Sequence, residues 1–142
     1  DVIEILLVED NPGDIRLTQE AFKEGNLNTN LNAVTDGVKA LDYLYKRGEY
    51  ANVSRPELIL LDLNLPKKDG REVLEAIKGD EDLKTIPVII LTTSSSDFDV
   101  NRCYDLLANC FITKPIDFDS FMDVILSIES YWLKLASLPS RT

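Results

Sequence analysis

The chain has 142 residues, 44% of them hydrophobic and 28% charged, which is typical of one globular domain with a substantial core. Its formal net charge is −10, which argues against a nucleic-acid-binding surface because a phosphate backbone attracts clustered Lys and Arg. The absence of histidine excludes histidine catalysis, histidine-ligated metal and histidine phosphorylation within the chain.

The first predicted strand is the apolar run over residues 2–8, which ends on the acidic pair Glu9-Asp10. Asn11 is a favourable helix N-cap residue and Pro12 suits the first helical position. The first helix is therefore expected to begin directly after the acidic pair.

The second strand, about residues 30–35, is weak and partly polar, which indicates the edge of a sheet. Asp36 and Gly37 open the second helix. Its apolar residues are predicted to share one face: Val38, Leu41, Leu44 and Tyr45.

The most apolar run is Leu58–Leu61, which indicates a strand covered on both faces, and it ends on Asp62. Asp69 is predicted to cap the third helix, with Glu72 completing a capping box. Residues 78–86 are expected to form a charged loop.

The fourth strand, residues 88–91, ends on Thr92, and the fifth, residues 110–113, ends on Lys114. A fourth amphipathic helix lies between them. The last helix is expected from residue 117 to about residue 135.

This alternation predicts an α/β, doubly wound, five-stranded parallel sheet with the strand order 2-1-3-4-5, a flavodoxin-like (βα)5 fold. We expect a single domain over residues 1–136, with an extended last helix, and a C-terminal tail over residues 137–142. The strand order places the ends of the first and third strands side by side at the switch point of the sheet.

Cellular location is predicted from features that the sequence lacks. No apolar run approaches the length of a membrane span, and no signal-peptide pattern opens the chain. Cys103 and Cys110 do not have metal-site spacing and suit small apolar positions in a reducing compartment. We therefore expect a cytoplasmic protein with neither membrane nor nucleic-acid partners.

Five polar residues are expected at one edge of the sheet, because each follows the carboxyl end of a strand: Glu9, Asp10, Asp62, Thr92 and Lys114. The three carboxylates would repel one another unless a cation lay among them, and oxygen-only ligands favour a hard ion such as Mg²⁺. Lys114 and Thr92 could bind phosphoryl oxygens. Jointly the five residues predict phosphoryl transfer to a carboxylate nucleophile, although each one alone also suits a cap, a turn or a solvated strand end.

Four motifs occur in order at the predicted strand ends: Val8-Glu9-Asp10, Leu61-Asp62, Leu91-Thr92 and Lys114-Pro115. In these motifs the chain resembles the receiver domain of two-component response regulators, over about residues 3–128. Further runs resemble the stand-alone regulators that partner bacterial, especially cyanobacterial, phytochromes: residues 9–14, 63–66, 92–97 and 131–133.

The resemblance implies that Asp62 accepts a phosphoryl group from a phosphohistidine on a separate sensor histidine kinase, here of the phytochrome type. It implies Mg²⁺ ligation by Asp10, Asp62 and the backbone carbonyl of Asn64, with Glu9 acting through a water or as an outer ligand. Lys114 would pair with the phosphoryl group. The protein would be a phosphoacceptor that catalyses only its own Mg²⁺-dependent phosphorylation and dephosphorylation, and not an enzyme.

Thr92 and Phe111 match the switch positions of the same family. The resemblance implies that Thr92 moves toward the phosphoryl group and that Phe111 then swings inward. Phe111 lacks a hydroxyl, so its signal would be steric, and Thr93 is bulkier than the residue usual in the family, which bears on phosphate access. The bond between Lys114 and Pro115 matches one that is cis in the family.

The last helix carries more apolar residues than one covering face needs, and it continues about two turns beyond a typical covering helix. We hypothesise that Met122, Trp132 and Leu135 contribute to a symmetric homodimer interface. The alternative is a thick core contact followed by a frayed end.

Other functions fit the sequence less well. An Asp-nucleophile phosphatase commonly has a second carboxylate two residues after the first, where this chain has Asn64. A flavodoxin-like cofactor site would place its phosphate loop after the first strand, where this chain is acidic. A calcium loop starting at Asp62 would have Pro66 at a ligand position. The main rival is a receiver-like interaction scaffold with little phosphotransfer, and in both cases we expect output through contacts with a downstream protein.

Overall fold

The computed structural model describes residues 2–25, 28–93, 96–114, 117–128 and 130. Five strands are found there: β1 (Ile3–Val8), β2 (Thr29–Val34), β3 (Leu58–Leu61), β4 (Val88–Thr92) and β5 (Cys110–Thr113). All neighbouring strands pair in parallel, in the order β2-β1-β3-β4-β5. The predicted fold class and strand order are confirmed.

Five α-helices alternate with these strands: α1 (Pro12–Glu24), α2 (Gly37–Leu44), α3 (Gly70–Gly79), α4 (Asp97–Asp105) and α5 (Phe118–Ile128). The predicted starts are confirmed in detail, since Asn11 caps α1 through the Asp14 N–H at 3.1 Å, and Asp69 forms a capping box with Glu72. The predicted domain limits and the predicted end of the last helix extend into residues outside the described ranges.

The predicted charged loop over residues 78–86 is partly wrong. The helix α3 includes Lys78 and Gly79, and Leu83–Thr85 forms a 3₁₀ turn. The Lys78 ammonium donates to the carbonyls of Lys84 and Ile86, so it ties the last turn of α3 to the segment that follows. These contacts are made in the tertiary fold and extend the helix beyond the limit that the charge pattern indicated.

The sheet separates two apolar cores. Side chains at alternating positions of β1, β3 and β4 point to opposite faces, and all the strand residues of β3 and β4 are buried. One core packs the sheet against α2, α3 and α4, and the other packs it against α1 and α5. Cys103 lies in the first core and Cys110 packs against the second. The central strands are thus rigid supports for whatever follows their ends.

The inward face predicted for α2 is also partly wrong. Val38 is 45% exposed, whereas Ala40 and Tyr43 are buried with Leu44. The cause is a close approach at the helix start, because a Cβ on Gly37 would lie 1.9 Å from the backbone oxygen of the lysine at position 68. That contact turns Gly37 toward the core. Ala40, Tyr43 and Leu44 lie on the same face of the helix as Gly37 and are therefore buried with it.

Candidate functional site

Backbone hydrogen bonding continues one residue past the strands at the carboxyl edge of the sheet. The Asp62 N–H donates to the Val8 carbonyl at 3.0 Å, and the Lys114 N–H donates to the Thr92 carbonyl at 2.7 Å. A Cβ on Gly70 would lie 2.2 Å from the backbone oxygen of Asp62, so the start of α3 packs directly on this edge. The positions of Asp62 and Lys114 are therefore fixed by the sheet and by α3.

Lys114 lies at the centre of the site, with its side chain 4% exposed. Its ammonium donates to the Oε1 of Glu9, to the Oδ2 of Asp14 at 2.7 Å and to the Oδ2 of Asp62 at 3.2 Å. Burial alone would lower the pKa of Lys114, but hydrogen bonds and charges from these carboxylates outweigh it and hold the pKa above its ordinary value. Lys114 is therefore a permanent cation.

Three carboxylates converge beside this cation. Glu9, Asp10 and Asp62 each offer an oxygen, and these oxygens lie within 4.8 Å of one another. Glu9 and Asp62 are buried, whereas Asp10 is exposed to solvent. Carboxylate oxygens at this spacing are the ligands of hard divalent cations, and an exposed member leaves a route for the ion. The residues present thus fit a divalent metal.

The pKa values of the two buried carboxyl groups are shifted in opposite directions. Burial raises the pKa of Glu9 to about 7, aided by the charge of Asp62 and opposed by the hydrogen bond from Lys114. Burial also raises the pKa of Asp62, but a hydrogen bond from Thr92 and the charge of Lys114 outweigh it, and the net pKa lies below the ordinary value. Asp62 is accordingly the carboxylate that is held ionised, as a nucleophile requires.

The structure brings the predicted switch residue Thr92 to Asp62 and places Phe111 elsewhere. Thr92 is fully buried and hydrogen-bonds Asp62. Phe111 is half-buried against the core that faces α2, α3 and α4. Asn64 is exposed, and its N–H donates to the Oδ1 of Asp62 at 3.1 Å, which fixes the loop after β3 beside that carboxylate.

The residues hypothesised to form a homodimer interface fall into two groups, one buried in the core and one outside the described residues. Met122 is 8% exposed and packs into the core shared by α1 and α5, so the described part of the chain does not offer it to a second copy. Trp132 and Leu135 lie outside the described residues, as does Pro115 of the predicted cis bond.

Sequence reasoning missed Asp14. It lies at the third position of α1, where an acidic residue is expected simply to favour the helix N-terminus. Its contact with Lys114 joins residues one hundred positions apart. A usable signal was present, because α1 begins directly after the acidic pair and its first turn must lie at the same sheet edge.

This fold and site define a class of signalling protein. Residues 5–126 match the response regulator receiver domain family, and the chain belongs to that family. It is thus a receiver domain, the module of two-component signalling that accepts a phosphoryl group from a kinase.

Phytochrome response regulators are among its similar proteins. The chain is 49% identical to response regulator Rcp1 of Synechocystis sp. over 136 residues, which cover 96% of this chain and 92% of Rcp1. The phosphorylated cyanobacterial phytochrome response regulator RcpA matches with a TM-score of 0.96 and 51% identity, covering 99% of this chain and 100% of RcpA. The Mn²⁺-bound form of Rcp1 matches with a TM-score of 0.94 and 48% identity, covering 97% and 99%. The predicted resemblance is confirmed.

The α-helices of the described residues are 8 to 13 residues long. None of them is both long enough and apolar enough to cross a bilayer.

Proposed function

We propose that Asp62 is the phosphoacceptor and that it takes its phosphoryl group from a phosphohistidine of a sensor kinase. The observation that carries the proposal is the ionised Asp62 carboxylate, held by Lys114 at 3.2 Å beside two further acids. An Asp62 oxygen attacks phosphorus, the P–N bond of the donor breaks, and its electron pair stays on the imidazole. The product is an aspartyl phosphate.

We further propose that the divalent ion is Mg²⁺. Asp10, Asp62 and the backbone carbonyl of Asn64 would hold it, with Glu9 acting through a water or as an outer ligand. When bound, the ion would supply positive charge that offsets the negative charge of the carboxylates and of the phosphoryl oxygens. Three carboxylates beside a single lysine leave a negative excess, which supports a bound cation at this edge.

We assign a separate role to each of three other residues, Lys114, Thr92 and Phe111. Lys114 pairs with the phosphoryl group, and Thr92 donates its hydroxyl to it. Thr92 already hydrogen-bonds Asp62, so a short movement lets it follow the new oxygens. Phe111 then repacks in the core beside α4, which carries the change to the surface that contacts a downstream protein. The chain's own catalysis extends only to its Mg²⁺-dependent phosphorylation and dephosphorylation.

The kinase is proposed to be of the phytochrome type. Support comes from RcpA, which is described as a phytochrome response regulator and is similar over almost the whole of both chains. A cytoplasmic location remains part of the proposal. A homodimer through Trp132 and Leu135 remains part of the proposal, with Met122 assigned to the core.

The proposal is tested by incubation with acetyl phosphate and Mg²⁺, followed by phosphate-affinity electrophoresis. We expect a retarded band for the wild type and for Asp119→Asn, a matched change at an exposed acid of α5. The band should be absent for Asp62→Asn and when Mg²⁺ is chelated. A wild-type chain that shows no retarded band would instead favour an interaction scaffold.

A further inference from the structure

The backbone of Asp14 is held on both sides. Its N–H donates to the Oδ1 of Asn11 at 3.1 Å, and its carbonyl accepts from the Thr18 hydroxyl at 2.8 Å. The first turn of α1 thus presents the Asp14 carboxylate to Lys114, with the Oδ2 to Nζ distance at 2.7 Å. This contact is shorter than the one between Lys114 and Asp62, at 3.2 Å.

The hydrogen bonds of Lys114 leave it no spare donor. An ammonium group carries three N–H donors. In this site they are directed to Glu9, Asp14 and Asp62. Lys114 can therefore bind a phosphoryl oxygen only by releasing one of these carboxylates.

The three carboxylates differ in what their release costs. The side chains of Glu9 and Asp62 are 3% and 9% exposed, whereas that of Asp14 is 26% exposed. A carboxylate that water can reach is solvated again when it loses its partner, but a buried one keeps its desolvation cost. Asp14 is therefore the acceptor that Lys114 releases most easily.

We propose that Asp14 is a positioning residue that restrains Lys114 before phosphorylation and is exchanged for a phosphoryl oxygen when Asp62 accepts the group. This inference rests on the proposed role of Asp62. Two effects of Asp14 then oppose phosphorylation. It competes for the Lys114 ammonium, and its charge adds to the repulsion of an anionic phosphoryl donor.

The test compares initial phosphorylation rates with acetyl phosphate below saturation and Mg²⁺ at saturation. Asp14→Asn removes the charge and keeps the shape. Asp14→Glu retains the carboxylate, and Asp14→Ser is a second neutral variant. Glu20→Gln is the control, because it makes the same change of charge at an exposed position of the same helix. Thermal unfolding followed by circular dichroism shows that each variant is folded.

We expect Asp14→Asn and Asp14→Ser to raise the second-order rate constant for phosphorylation by acetyl phosphate roughly three- to tenfold, which is the size of one partly screened charge effect. Asp14→Glu and Glu20→Gln should stay within about twofold of the wild type, since a carboxylate is retained in one and the other is remote. A merely structural role would lower the rate of both neutral variants or leave it unchanged.

The outcomes separate the two proposals. Neutral variants at position 14 that match Glu20→Gln, or that are slower than the wild type, would overturn the role of Asp14 and leave Asp62 as the acceptor. A wild-type chain that acquires no phosphoryl group on Asp62 would overturn the proposed function itself.

Discussion

Two lysines with similar hydrogen bonding lie at opposite edges of the sheet. Lys114, at the carboxyl edge, donates to three carboxylates. Lys78, at the amino edge, donates to the carbonyl of Lys84 at 3.0 Å, to that of Ile86 at 2.8 Å and to the Oδ1 of Asn109 at 3.2 Å. Each ammonium therefore has three acceptors, but only Lys114 has charged ones.

The pKa values of the two lysines move in opposite directions. Carboxylate partners hold the pKa of Lys114 above its ordinary value, whereas burial lowers the pKa of Lys78 to about 8. The two lysines have the same number of acceptors, so the charge of the acceptors accounts for the opposite directions of their pKa shifts. Lys78 is a structural tie between α3 and the segments before β4 and β5, whereas Lys114 is the cation that we propose binds the phosphoryl group.

The largest expected difference comes from removing each ammonium. We expect Lys114→Met to lower the free energy of unfolding by about 3 kcal/mol at neutral pH without divalent cations, because it leaves buried carboxylates without a counter-charge. Lys78→Met should cost about 1 kcal/mol, the net value of ordinary hydrogen bonds. Urea unfolding measures both. Only Lys114→Met should also abolish phosphorylation by acetyl phosphate. If both variants lost the same free energy of unfolding, the charge of the acceptors would not explain the difference between the two lysines.

Mg²⁺ should stabilise the two lysine variants to different extents. Mg²⁺ at about a hundred times its dissociation constant should stabilise the wild type by about 2.7 kcal/mol. Lys114→Met should gain more than the wild type, because the ion then also supplies the missing counter-charge. Lys78→Met should gain as much as the wild type, since Lys78 lies at the other edge. Thermal unfolding with Mg²⁺ and with a chelator measures these shifts. An absence of stabilisation in all three proteins would argue against a metal at the acidic cluster.

The third difference is a dependence of stability on pH. Below pH 8 Lys78 is charged in both the folded and the unfolded chain, so its contribution is constant. From about pH 8 to its ordinary pKa of 10.5, the folded chain has released a proton that the unfolded chain keeps. Stability therefore rises with pH in this window, by about 1 kcal/mol after allowance for partial exposure.

This contribution is isolated by subtracting the unfolding free energy of Lys78→Met from that of the wild type at each pH, because other titrating groups then cancel. Lys114 should contribute no slope in the same window, since its folded pKa lies above that of the unfolded chain. A difference curve that is flat from pH 8 to 10.5 would show that Lys78 is not desolvated.

The contrast also shows what a sequence can predict. The sheet order and the carboxyl-edge residues followed from apolar runs such as Leu58–Leu61 that end on Asp62, because local pattern and topology are enough to bring strand ends together. The side-chain partners of Lys114 did not all follow. Asp14 reaches it from another element, and an acidic residue in the first turn of a helix is favoured by the helix dipole without any tertiary contact, so its presence there did not indicate Lys114 as a partner.

The charge pattern of the sequence predicts a loop that begins at Lys78. The burial of Lys78 depends on carbonyls presented by the segment before β4, and carbonyl directions are not encoded in a charge pattern. The same limit explains the inward face of α2, which a backbone contact at Gly37 determines. Sequence therefore predicted which residues meet at the site better than it predicted how each helix is turned.

The smallest expected effect comes from giving Lys78 a counter-charge. The Oδ1 of Asn109 accepts hydrogen bonds from the Lys78 ammonium and from the Val88 N–H, the latter at 2.9 Å. Asn109→Asp adds a negative charge and keeps an oxygen in that position. The pKa of Lys78 should rise toward its ordinary value, and stability at neutral pH should increase by about 0.5 kcal/mol, as for other partly exposed pairs. The rise in stability above pH 8 should then disappear.

The pKa of Lys78 can be followed by the NMR shift of its side-chain carbon next to the nitrogen. Asn101→Asp, at an exposed position of α4, is the control for the added charge and should leave that pKa near 8. If the pKa of Lys78 stays near 8 in Asn109→Asp as well, burial and not the missing counter-charge separates the two lysines. The raised pKa of Lys114 would then require several converging carboxylates, because a single carboxylate beside Lys78 would not have raised the pKa of that lysine.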